Sequence, residues 1–185
     1  MAARPGERTD AFQAISVAER SLSAERRQWI GLAVVALAAV VADQLTKHVV
    51  ASQIQLDTAV KLIGPVSIRH VQNSGIAFGL FSSATAIVIV LTTVAVAWML
   101  IFFARSGARH PALPVALGLL IGGSVSNLVD RVRLGYVTDF LDLRWWPAFN
   151  LADASIVIGV AVLLGSLLLA DGSPRRRADT SAARP

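Results

Sequence analysis

The sequence predicts an all-α integral membrane protein with four transmembrane helices and a small sheet outside the bilayer. Three observations carry this. The 185 residues are 55% hydrophobic and only 16% charged, against about 25% charged in a soluble domain, and the mean hydropathy is +0.62. The apolar residues gather into four long segments, and a bilayer core takes roughly 20 helical residues to cross. The arginines cluster outside those segments.

Residues 1–28 are polar, alanine-rich and charged with both signs, the composition of a disordered or loosely helical extension. They do not read as a cleaved signal peptide, because the apolar run begins too late and no cleavage site follows it. The first span is placed over about 29–50. In the loop that follows, 51–84, Val66, Ile68 and His70 alternate with Ser67, Arg69 and Val71, a weak strand pattern. Gly64-Pro65 and Asn73-Ser74-Gly75 read as turns. The second span covers about 85–104. After a short connection, 105–110, the third covers about 111–127. It is the shortest and needs its polar end, 124–127, to complete a crossing, with a re-entrant segment as the alternative. A second long loop, 128–151, leads to the fourth span at about 152–170. Residues 29–171 thus form one membrane domain, and 172–185 read as a disordered tail.

Orientation follows from the cations, which concentrate on the cytoplasmic side. Four spans put both termini and the 105–110 connection on one side. That side holds eleven of the 17 Lys+Arg, and the other side holds six, Lys47 at the end of the first span and five in the loops 51–84 and 128–151. Both termini are therefore expected in the cytoplasm and the two long loops outside. The net charge of +5 reads as topology control. Nucleic-acid binding is not expected, since no aromatic-basic platform accompanies the charge. With no cysteine, disulfides and thiol nucleophiles are excluded.

An acid inside a membrane segment normally faces a partner or water. Asp43 and Lys47, four apart, share a helix face and read as an ion pair anchoring the helix end. Asn127 and Asp130, three apart, suit loose backbone groups at a helix end, with Arg131 at the headgroups. Gly118, Gly122 and Ser126 form a stripe of small residues that admits another helix closely, which is packing and not chemistry. Asn150 with Asp153 three residues on reads as an N-cap with its capping box. Asp139 has no such local explanation. Two aspartates at the outer ends of neighbouring segments, one charged and one protonated, form a pair able to activate a water. A Ser–Lys pair drawn from Lys47, Lys61, Ser74, Ser82 and Ser83 has no supporting spacing. No metal or other cofactor is expected, because His48, His70 and His110 are scattered, and no phosphate-cradling loop is present.

In combination, "ADQLTK" at 42–47, "NSGIAFG" at 73–79, "SNLVDR" at 126–131, "GYVTDF" at 135–140 and "FNLADASI" at 149–156 resemble the lipoprotein signal peptidase, or signal peptidase II, family. The resemblance covers roughly 29–171. It implies an aspartyl endopeptidase of the bacterial inner membrane that removes the signal peptide of prolipoproteins, cutting before a diacylglyceryl-modified cysteine. It also implies four helices, a β-sheet cradle and an extracytoplasmic loop over the site. By motif match the catalytic pair falls on Asp139 and Asp153. The supporting residues fall on Asp43, Lys47, Asn73, Asn127, Asp130, Arg131 and Asn150. The implied partners are lipid-modified prolipoproteins and membrane lipids, and a monomer is expected. Ser126 stands where the family commonly has glycine, a departure read as touching only the tightness of packing. The stretch between the two aspartates is shorter than in many relatives, with Trp145 and Trp146 as interface anchors. The competing class is a proton-coupled transporter or channel, whose acids lie near the bilayer midplane among internal repeats; no repeat is visible here.

Overall fold

The computed structural model describes residues 24–74, 82–106 and 110–171. Most of the 1–28 extension, the tail from 172, Arg109 and positions 75–79 of the NSGIAFG motif lie outside the described residues. Among the described residues four helices are long and apolar enough to cross a membrane: α1 (Arg26–Gln53), α2 (Ser82–Ser106), α3 (Leu113–Leu134) and α4 (Leu151–Asp171). Three strands, β1 (Ala59–Ile63), β2 (Val66–Asn73) and β3 (Val137–Asp142), form one antiparallel sheet in the order β1-β2-β3.

The helices are apolar on the outside. On α1, Val34, Leu37, Val41, Leu45 and Val49 are exposed at helical spacing, while Asp43 and Lys47 are buried. Such a stripe suits a hydrocarbon solvent, and the polar residues turn inward where partners wait. α3 is central. It packs against α1 and α4 over its length and against α2 near Phe103 and Leu113. The Trp29 and Phe103 rings meet edge to face at 4.9 Å, closing the end of the bundle opposite the sheet.

Two glycines fix how closely these helices pack. A Cβ on Gly122 would lie 2.6 Å from the Ala36 carbonyl oxygen of α1, and one on Gly123 would collide with the Ala152 carbonyl oxygen of α4. Small residues here allow near backbone contact on both sides of α3.

The sequence reading needs correcting at two places. The helix that carries the third span does not end at Asn127. α3 continues to Leu134, because Ser126, Asn127 and Asp130 find buried partners and the helix need not stop where the apolar run stops. It ends at Gly135, whose φ of 82° is the left-handed cap that glycine adopts freely; its N–H donates to the Arg131 carbonyl at 3.1 Å. The sheet was expected from the first loop alone. Its third strand comes from the second loop, directly after Gly135, and pairs Val71 with Asp139 and Asn73 with Val137. The chain beyond β3 then folds back. Leu141 and Phe149 exchange backbone hydrogen bonds at 2.8 and 3.1 Å, which returns Asn150 to the side of Asp139.

Candidate active site

The polar residues gather at one end of the bundle, where α1 and α3 finish, α4 begins and the sheet sits. Asp139 lies in the middle of β3, where four consecutive residues, Val137–Phe140, are buried. Its two oxygens accept from Asn150 Nδ2 at 2.6 Å and Asn73 Nδ2 at 2.8 Å. Burial raises its pKa from 3.8 to about 6, and the neighbouring Asp153 charge pushes the same way. The hydrogen bonds from Asn73 and Asn150 and the Lys47 charge act against this.

Asp153 occupies the first turn of α4. The capping geometry read from the sequence is present. The Asp153 N–H donates to Asn150 Oδ1 at 2.9 Å, and the Asn150 N–H donates to Asp153 Oδ2 at 3.2 Å. The other carboxylate oxygen, Oδ1, accepts from Asn127 Nδ2 at 2.8 Å. Asn150 therefore holds both aspartates: its backbone and side-chain oxygen cap the helix carrying Asp153, and its side-chain amide reaches Asp139. That same amide donates to Asn127 Oδ1 at 3.1 Å, so the two asparagines orient each other.

Behind the aspartates lies a buried ion cluster. Lys47 Nζ sits 2.6 Å from Asp43 Oδ2, 2.9 Å from Asp130 Oδ2 and 2.9 Å from Asn127 Oδ1. Asp43 Oδ1 accepts the Ala152 N–H at 2.9 Å, and Asp130 Oδ2 accepts the Thr138 N–H at 3.2 Å. Each carboxylate thus holds the backbone amide immediately before one of the two aspartates, and a single ammonium bridges the two carboxylates.

Sequence reasoning missed a second bridge. Ser126 Oγ donates to Asp43 Oδ2 at 2.7 Å. Gln44 Nε2 donates to Ser126 Oγ at 3.0 Å and to Asp130 Oδ1 at 2.8 Å. Ser126 is fully buried, so its hydroxyl has a role beyond the packing difference first read for it. The small-residue stripe carried the signal, since it faces α1 and so points the hydroxyl at Asp43. Gln44 lies three residues before Lys47, on the same side of the helix. Arg131 stands apart from this network; its guanidinium donates to the carbonyl of Asn127 at 3.3 Å.

Comparisons with known proteins identify the family. The family profile described as Signal peptidase (SPase) II matches residues 35–169. A lipoprotein signal peptidase of Halothermothrix orenii is 39% identical over 132 residues, 71% of this chain and 90% of that protein. One of Moorella thermoacetica is 39% identical over 142 residues, 76% of this chain and 95% of the relative. A solved bacterial membrane enzyme superposes with a TM-score of 0.71 at 28% identity, covering 78% of this chain and 91% of its own. A second reaches 0.69 at 30% identity, covering 73% and 90%. With the profile spanning nearly all of the described membrane unit, the chain belongs to the signal peptidase II family and is a membrane peptidase.

Proposed function

We propose that Asp139 and Asp153 form the catalytic dyad of an aspartyl endopeptidase. It removes signal peptides from diacylglyceryl-modified prolipoproteins by cutting before the lipidated cysteine. The observation that carries the dyad is the double attachment of Asn150, which ties two carboxylates from separate elements into one site. A water between them loses a proton to the Asp153 carboxylate as its oxygen bonds to the scissile carbonyl carbon. The protonated Asp139 donates to the carbonyl oxygen. Collapse of the tetrahedral adduct returns that proton to Asp139, while the proton on Asp153 passes to the leaving nitrogen. The products are a carboxylate-ended signal peptide and a free amine on the cysteine. The raised pKa of Asp139 supports its role as the acid partner. The place of Asp153 in the first turn of α4, where the helix dipole favours a negative charge, supports its charged role.

Asp43, Lys47, Asn73, Asn127, Asp130 and Asn150 act as positioning residues. Arg131, at the edge of the network, handles the substrate's ester or backbone oxygens. Both termini are cytoplasmic and the sheet end faces outward, a reading that the distribution of cations supports. The transporter alternative finds no support, since the acids gather with the sheet at one end of the bundle. The deciding experiment is cleavage of a diacylglyceryl-prolipoprotein peptide by wild type, Asp139→Asn and Asp153→Asn. Each variant should retain the fold and lose turnover by about 10²–10⁴-fold. Near-wild-type turnover in either folded variant would remove the dyad.

A further inference from the structure

Beside the site an apolar groove of about 700 Å³ lies between the loop after β3 and α4. Its lining includes Trp146, Phe149, Asp153, Ala154, Val157 and Ile158. On α4, residues 154, 157 and 158 share one stripe by helical spacing. Ala152, Ile156 and Gly159 instead meet α3. The groove therefore opens on the side of α4 turned away from the bundle, where Val157 is 67% and Ile158 53% exposed. It is an apolar surface on a membrane-spanning helix that reaches Asp153.

We infer that this groove receives an acyl chain of the substrate's diacylglyceryl group. The inference rests on the reading of Asp139 and Asp153 as a dyad cutting beside a lipid-bearing cysteine. The lipid hangs from the residue next to the scissile bond. When that bond lies at the dyad, the chain must leave within a few bonds of Asp153, along a surface that is both apolar and open to the bilayer. The groove meets both conditions. At ~30 Å³ for each water-sized group, its volume holds roughly twenty such groups, enough for one long chain and too few for two. Moving a chain from lipid into an apolar groove gains little hydrophobic energy, because lipid tails are equally apolar. The gain is orientational: a seated chain fixes the cysteine and the bond before it against the dyad. Ala154 leaves the space open where a larger side chain would fill it.

The test uses the full-length protein in nanodiscs with two prolipoprotein peptides, one carrying a dipalmitoylglyceryl and the other a dibutyrylglyceryl cysteine. Wild type should prefer the long-chain peptide. Ala154→Trp and Val157→Trp should lower kcat/KM for it by about tenfold and bring the ratio between the two peptides close to one. Leu168→Trp, on the same helix at a 76% exposed position far from the groove, should keep the wild-type ratio. A diazirine at the end of the long acyl chain should crosslink within residues 143–158. The inference is overturned if both groove variants keep the wild-type ratio, or if they lose the two peptides in parallel. Crosslinks found only elsewhere overturn it too, as does labelling of the groove by a diazirine in the signal-peptide segment instead of the acyl chain. A wild type that cleaves neither peptide would instead remove the proposed function itself.

Discussion

At Asp139, two opposed influences decide the chemistry. Burial in β3 and the charge of Asp153 hold the proton on, while two asparagine donors and Lys47 pull the other way; burial wins and the pKa rises to about 6. The acid must be protonated to work, so the alkaline limb of kcat/KM, which reports the free enzyme, should fall near pH 6. The limb of kcat should lie higher, because a bound substrate removes more water. The sign for stability is the reverse of the usual carboxylate case. A folded pKa above the unfolded value means the native state binds more protons, so the contribution of Asp139 to stability is full below about pH 4 and declines as pH rises to about 6. Asp139→Asn, which cannot ionise, should therefore melt at a higher temperature than wild type at pH 8 while losing activity. Thermal unfolding at pH 4 and pH 8 checks this, and a lower melting temperature for the variant at pH 8 would contradict it.

Between elements, the Asp43–Lys47–Asp130 cluster is the joint. It ties α1 to α3, and through the amides of Thr138 and Ala152 it reaches the strand and the helix that present the aspartates. Lys47→Met leaves two buried carboxylates without their cation and should cost about 3–5 kcal/mol of stability, read as a large loss of melting temperature. Ser126→Ala removes one hydroxyl of the second bridge and should cost about 1 kcal/mol. Its main signature should be a lower kcat with little change in KM. Gly123→Val tests the same joint from the backbone side. The added side chain pushes α4 off α3, carrying Asp153 with it, and should abolish turnover although residue 123 touches no substrate. Full activity in a folded Gly123→Val protein would show that the α3–α4 approach does not set the dyad.

Over the whole molecule, the distribution of polarity is that of a protein dissolved in lipid. Exposed Leu, Ile and Val cover the helices, and the buried ions sit at the sheet end. Reporter fusions should place both termini in the cytoplasm, with alkaline phosphatase inactive and a fluorescent protein bright at either end. Active phosphatase at a terminus would invert the assigned face of the site.

The four membrane-grade helices and the family were legible in the sequence, because hydropathy and short motifs are local properties of the chain. The capping pair Asn150–Asp153 was legible for the same reason, being only three residues apart. The length of α3 was not, since its polar end is helical only where Lys47, Gln44 and Asp153 lie ready to meet it. Nor was β3, whose strand partner sits in the other loop. The hydroxyl of Ser126 looked like a packing detail until α1 was laid against it. The tertiary structure alone decided that Asn150 lies between Asp139 and Asp153, because that contact depends on the backbone return from Leu141 to Phe149, and no periodicity within either segment encodes it.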